Sequence, residues 1–195
     1  MAVALILDFP GGTRAQYESV VKKMDLGGRL ADGGMFHAAG SYEGGWRVTD
    51  VWEDLASFER FRDAKIIPLV AEAGMQPPSV EAIQVAEQKR GSGATPELVQ
   101  VIKLPGLDAL GFRAADLEIL SAYRGRTPEA ITFHVNGPYE GGWCVVDAWS
   151  SKEARDRFVE EHVMPVMKEA DLTGPPVTQD LTVEATLRAG TLTQA

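Results

Sequence analysis

The chain has 195 residues, enough to bury a substantial core as one domain or two small ones. Its 45% hydrophobic and 24% charged content is that of an ordinary soluble globular protein, and no apolar run approaches the roughly 18 residues of a membrane span. The net charge of −9, with Lys and Arg single or paired and never in a stripe, excludes the phosphate-neutralising surface of a nucleic-acid-binding protein and disfavours anionic membranes.

Taken in chain order, the N-terminus lacks a basic n-region and a cleavage site, so it reads as a first strand and not as a signal peptide. Val3 to Phe9 is an apolar run of strand length that ends at Pro10-Gly11-Gly12. Thr13-x-x-Gln16 predicts a capping box, with Ala15, Tyr17, Val20, Val21 and Met24 following at helical spacing and Gly27-Gly28 closing the helix. Met35 to Gly40 and Trp46 to Trp52 read as strands joined by the tight loop Ser41 to Gly45. A helix starts near Asp54 and runs to about Ala73, and Pro68 inside it predicts a kink or a restart with proline in the first turn. Val80 to Glu87 alternates as a closing strand.

The same order then recurs. Residues 36–73 lie over residues 133–170 at a constant offset of 97, with 16 of 38 positions identical, where ordinary residue frequencies give roughly two or three. The matching strands are expected at about 98–104, 130–137, 143–149 and 177–188, with a helix near Asp108 to Tyr123 and a capping box at Ser150-x-x-Glu153. The chain is therefore read as two repeats, residues 1–90 and 97–195, joined by a polar Gly/Ser/Pro linker at 91–96. The end of the chain, Ala189 to Ala195, reads as a loose polar tail. Each repeat is β-α-β-β-α-β, the ferredoxin-like split βαβ arrangement, so the fold class is α+β. A four-stranded sheet with both helices on one face leaves the other face bare, and two copies cover those faces by packing sheet to sheet.

Alternation along the third strand places Trp46, Val48, Asp50 and Trp52 on one face, and Trp143, Val145, Asp147 and Trp149 on its counterpart. Indoles on such a face read as packed core, but a carboxylate among them is costly unless paired. His37 lies 13 residues before Asp50, and His134 lies 13 before Asp147. A four-residue hairpin connection sets each His directly opposite its Asp, with Cβ atoms about 4.5–5.5 Å apart, whereas a three-residue loop puts them on opposite faces. Such a pair serves either as a general base in an apolar pocket or as a satisfied buried pair that fixes strand register. Tyr42 and Tyr139, with Glu43 and Glu140, either line a pocket mouth or are turn residues. The copies differ where Asn136 stands for Ala39 and His162 for Lys65. There is no G-x-S-x-G, P-loop or G-x-G-x-x-G, and no C-x-x-C or H-E-x-x-H, so a metal site is not expected. Cys144, the only cysteine, falls on the face opposite the tryptophans, packs there, and is consistent with a reducing cytoplasm.

The motif Val51-Trp52-Glu53-x4-Phe58-x2-Phe61, repeated as Ala148-Trp149-Ser150 with Phe158, resembles the third-strand Trp and following helix of antibiotic biosynthesis monooxygenase (ABM)-like domains. The core "EGGW-x-V-x-D-x-W" also resembles small uncharacterised actinobacterial proteins. This resemblance implies the dimeric α/β-barrel superfamily, here as a tandem pseudo-dimer that is monomeric or forms a homodimer in the cytoplasm. It implies a small-molecule enzyme, either a cofactor-independent monooxygenase or a related cyclase or isomerase, acting on an aromatic or polyketide-like compound. The alternative is a non-catalytic ligand-binding or stress-related protein. The catalytic candidates are His134 and Asp147 from the strand pairing, with Asn136 and His162 added by resemblance. The binding candidates are Trp143, Trp149 and Tyr139, with His37, Asp50, Trp46, Trp52 and Tyr42 in the first copy. The second half is then the active one and the first half its scaffold. No cofactor is expected. Some relatives bind haem through a helix histidine, for which His162 is the only candidate.

Overall fold

The computed structural model describes residues 1–91, 94–169 and 172–187. The tail at 189–195 and the linker positions 92–93 lie outside the described residues. The chain forms two compact units, one of Met1–Ala82 together with the segment from Leu181 on, the other of Ile83–Asp180. No helix among the described residues is long and apolar enough to cross a membrane.

The first repeat runs β1 (Val3–Pro10), α1 (Arg14–Met24), β2 (Gly34–Tyr42), β3 (Gly45–Trp52), α2 (Leu55–Phe61), α3 (Ile67–Glu72) and β4 (Ser79–Gln84). After β5 (Glu87–Arg90) the second repeats the series as β6 (Leu98–Pro105), α4 (Ala109–Ser121), β7 (Ile131–Tyr139), β8 (Gly142–Trp149), α5 (Lys152–Phe158), α6 (Met164–Met167) and β9 (Val177–Thr182), followed by β10 (Ala185–Thr186). The sheets are ordered β10-β2-β3-β1-β4 and β5-β7-β8-β6-β9. Each contains the ferredoxin-like order, but with five strands and not the four expected. The closing strand of each repeat breaks, at Val85-Ala86 and at Val183-Glu184, and the piece beyond the break pairs with β7 or β2 instead of continuing.

Local chemistry accounts for the ends of the helices. Thr13 and Gln16 form the expected capping box, but α1 closes at Asp25, not at the glycines. Asp25 adopts the left-handed conformation (φ 56°), which a short polar side chain tolerates. The cap of α5 is Ser151, whose side chain accepts from the Ala154 N–H, and not Ser150. Ahead of Pro68 and Pro165 the chain makes one π-helical turn, Arg62–Ile66 and Val159–Val163. Proline cannot donate to the carbonyl four residues back. The preceding residues shift partner, so that Ile67 N–H donates to Arg62 O and Met164 N–H to Val159 O, and each helix restarts with proline in its first turn.

In the first unit, the face of the sheet bearing Trp46, Val48 and Trp52 joins Tyr17, Phe58 and Val70 in one continuous buried cluster. The equivalent residues of the second unit fall into two separate clusters, one around Leu98, Trp149 and Phe158, the other around Leu104, Leu107 and Trp143. Members of both clusters, Phe158 and Leu104 among them, border one cavity.

Candidate active site

The hairpins set the dyads. Tyr42 pairs with Gly45 and Tyr139 with Gly142, so two residues connect the strands and not four. The parity is unchanged, and the register brings His37 opposite Asp50 and His134 opposite Asp147. In both, imidazole Nδ1 lies 2.7 Å from a carboxylate Oδ1, and all four side chains are buried.

What touches the other imidazole nitrogen differs. In the first unit the Tyr17 hydroxyl lies 2.7 Å from His37 Nε2. Burial, with the Asp50 carboxylate adding to it, raises the Tyr17 phenol well above its ordinary range, so it remains an O–H and donates. In the second unit the position matching Tyr17 is Phe112, which has no hydroxyl and stacks on Trp143 at 5.5 Å. Asn136 takes over: Trp143 Nε1–H donates to Asn136 Oδ1 (3.1 Å), and Asn136 Nδ2 lies 2.9 Å from His134 Nε2. The Trp143 donor fixes the amide orientation, so Nδ2 donates to Nε2 and the imidazole proton sits on Nδ1, directed at Asp147. In the first unit, Ala39 replaces the amide, and Trp46 Nε1 is buried without a partner.

The two units also differ in empty space. His37 and Asp50 border a cavity of about 60 Å³, room for little more than water. His134 and Asp147 border one of about 480 Å³, within the size range of small-molecule sites. Its walls include Phe112, Ile119 and Phe158. Across its floor runs a row set by strand register: Lys89 opposite His134, His134 opposite Asp147, and Asp147 opposite Gln100. Only in the second unit is the dyad flanked by polar residues in that row. The repeat offset places Leu5 at the Gln100 position, and Leu187, the residue after the Thr186–Ala38 pair, lines the first-unit cavity. Arg155, 7% exposed, occupies the position of Phe58 and also lines the cavity. Its Nε donates to Asp156 (2.6 Å) and its Nη1 to Asp180 (3.0 Å), while Gln100 Nε2 donates to the same Asp180 (2.9 Å). Lys89 pairs with Asp116 of α4 at 2.8 Å.

Of the residues selected from sequence, the structure brings His134, Asp147, Asn136 and Trp143 into one hydrogen-bonded group. Only His134 and Asp147 of these line the larger cavity. Trp149 lies behind its wall against Phe158 (5.3 Å), as Trp52 lies against Phe58. Tyr42 and Tyr139 line neither cavity; each receives a cation, Arg47 at 4.9 Å and Lys103 at 5.9 Å. His162 is also separate, wedged between Tyr123 and Phe158 in the π-helical turn. Lys89, Gln100, Asp116 and Arg155 were missed. The repeat alignment held the signal for two of them, with Arg155 over Phe58 at offset 97 and Gln100 over Leu5 at offset 95.

No family model matches the chain, and no curated protein matches it. Solved structures do. A proposed monooxygenase from Fusobacterium nucleatum subsp. nucleatum has a TM-score of 0.68 at 13% identity, over 97% of this chain and 95% of that one. An anthrone oxidase-like protein reaches 0.50 at 17% identity, over 97% and 93%. A mutant chlorite dismutase from Candidatus Nitrospira defluvii, solved with cyanide, reaches 0.60 at 10% identity, over 93% and 90%. At these identities the likeness establishes the fold alone, α+β with two ferredoxin-like repeats.

The chlorite dismutases are haem proteins, and this overturns the expectation that such a chain works without a cofactor. The histidines here do not match an axial-ligand role: His134 has both nitrogens engaged, and His162 and His37 do not line the larger cavity. No chemical step is derived through haem. Among the described residues no group of three or more His, Cys, Asp or Glu is placed to hold a metal ion.

Proposed function

We propose that the second repeat carries the active site of a small-molecule oxygenase of the ABM-like type, acting on an aromatic or polyketide-like compound. The carrying observation is the contrast between a cavity of about 480 Å³ at His134–Asp147 and one of about 60 Å³ at His37–Asp50. Apolar walls take up a flat, weakly polar ligand. The dyad then removes a proton from an acidic O–H or C–H of that ligand, giving the electron-rich anion, the form of the ligand most readily oxidised. Asp147 is the more accessible acceptor. Its Oδ1 takes the imidazole proton, no described residue donates to Oδ2, and Asn136 covers His134 Nε2. His134 and Asn136 thus orient the carboxylate and hold its charge. The repeated Glu-Gly-Gly-Trp hairpin supports kinship with small actinobacterial proteins sharing that core, and the lone buried Cys144 supports a cytoplasmic setting, as monomer or homodimer.

The test is oxygen consumption with anthrone and related phenolic ketones. Wild-type turnover that Asp147→Asn abolishes, with ligand binding retained, is the expected result. Absence of turnover by the wild type across such a panel removes the enzymatic reading. One observation favours a second reading, a non-catalytic binding protein: the first unit keeps its dyad without a usable cavity, so the pair has a role in strand register on its own. Binding without turnover is its signature.

A further inference from the structure

We propose that Arg155, held by Asp156 and by Asp180, to which Gln100 also donates, is a carbonyl-recognising subsite of the second-unit cavity, so that the ligand carries a neutral ketone-type oxygen. This rests on the reading of that cavity as a ligand site, and it names a chemical feature that reading leaves open.

Three observations carry it. Arg155 lines the cavity while only 7% exposed, and its Nη2 has no hydrogen-bond partner among the described residues. A guanidinium has five N–H donors, and those on Nη2 stay available to an acceptor that enters the cavity. Second, the charge is already balanced. Asp156 and Asp180 both pair with Arg155, Asp156 also takes Lys152 at 3.2 Å, and the two carboxylate side chains are 52% and 41% exposed against 9% for Arg155. What the cavity receives is therefore a directional, charge-assisted donor without net positive charge. A ligand carboxylate would add a third negative group to a cluster in which Arg155 and Lys152 already match Asp156 and Asp180, whereas a neutral carbonyl oxygen accepts the hydrogen bond at no such cost. Third, the arrangement is absent from the other copy: the matching residues are Phe58, Leu5 and Ala82, all apolar. The shared fold does not need the network, since the first unit packs Phe58 at 1% exposure in that place.

The competing account is that Arg155 only staples α5 to β9. Anthrone and 9,10-dihydroanthracene separate the two, because they match in size and shape and differ in the carbonyl. Binding is measured by tryptophan fluorescence on the full-length protein without oxygen, so that no turnover intervenes. The wild type is expected to bind anthrone about tenfold more tightly or better, the worth of one charge-assisted hydrogen bond. Arg155→Met is expected to abolish that preference while leaving dihydroanthracene affinity unchanged. Asp180→Asn, which weakens the staple and keeps the donor, is expected to retain it. A wild type that binds both equally, or neither, overturns the proposal even if Arg155→Met fails to fold. So does an equal loss of preference in Asp180→Asn and Arg155→Met. Binding selectivity without oxygen uptake would instead remove the oxygenase reading and leave this one standing.

Discussion

Within one chain, four residues make a reciprocal exchange around the two imidazoles. Tyr17 with Ala39 in the first unit becomes Phe112 with Asn136 in the second, and each combination supplies one donor to the histidine Nε2. Losing that donor strands a buried acceptor, which costs about 1–3 kcal/mol. Asn136→Ala also orphans Trp143 Nε1, so it is expected to destabilise the protein by at least that much in urea denaturation. Adding Phe112→Tyr rebuilds the first-unit arrangement, and the double variant should recover part of the loss. Equal stabilities for the single and double variants would count against the exchange. Tyr17 gives a pH signature. Its phenol value in the folded state lies above that of the unfolded chain, so its contribution is complete below about pH 10 and lost as pH rises beyond it, because the unfolded chain releases its proton first. Tyr17→Phe should therefore be less stable near neutrality, yet lose less stability on going alkaline. The dyads themselves were legible in the sequence because strand parity needs only the even length of a turn. His162 and the tyrosines were misleading for a related reason: helix and hairpin positions carry no parity rule that fixes which cavity a side chain meets.

At the scale of elements, the repeated Glu-Gly-Gly-Trp motif turns out to be a hairpin requirement. Gly44 and Gly141 take φ of 104° and 86°, and a Cβ on Gly45 or Gly142 would sit 2.1 or 2.2 Å from the carbonyl oxygen of Phe9 or Leu104. The motif marks the turn that sets the dyad register and lines neither cavity. The two first helices also contrast. Along with its Tyr17 bond, α1 is fastened by Gln16 to Ala73 O, Lys23 to Glu72 and Arg14 to Glu184. Among the described residues, α4 has one polar side-chain tie to other elements, Asp116 to Lys89, and Leu120 is its only fully buried residue. The underside of α4 faces the cavity. Amides of α4 are therefore expected to exchange with deuterium faster than those of α1, and a bound ligand should slow α4 alone. Equal protection in the two helices would mean that the cavity leaves its roof unaffected. This asymmetry was not legible from sequence. Lys89 reaches its place through β5, a strand that leaves its own repeat, and a local pattern does not report the sheet in which a four-residue segment will pair.

For the whole molecule, one unit is filled and the other hollow. The expected stoichiometry is one ligand per chain, measured by calorimetry, and lining substitutions in the first unit such as Val20→Ala should leave affinity unchanged. Two equivalent sites per chain would contradict the contrast in cavity volume. The duplication has a consequence for how such a pocket can arise at all. In an assembly of identical subunits, every mutation is inherited in duplicate, so the change that opens one pocket opens all of them and their stability costs add. Two copies on one gene drift separately. The first, with Leu5, Phe58 and Tyr17 intact, keeps a sealed interior, while the second can tolerate Gln100, Arg155, Asn136 and an unfilled volume. The reserve that lets one half become poorly packed is thus carried in the half with the filled interior, and substitutions that weaken the first unit should narrow the range of changes the second can survive.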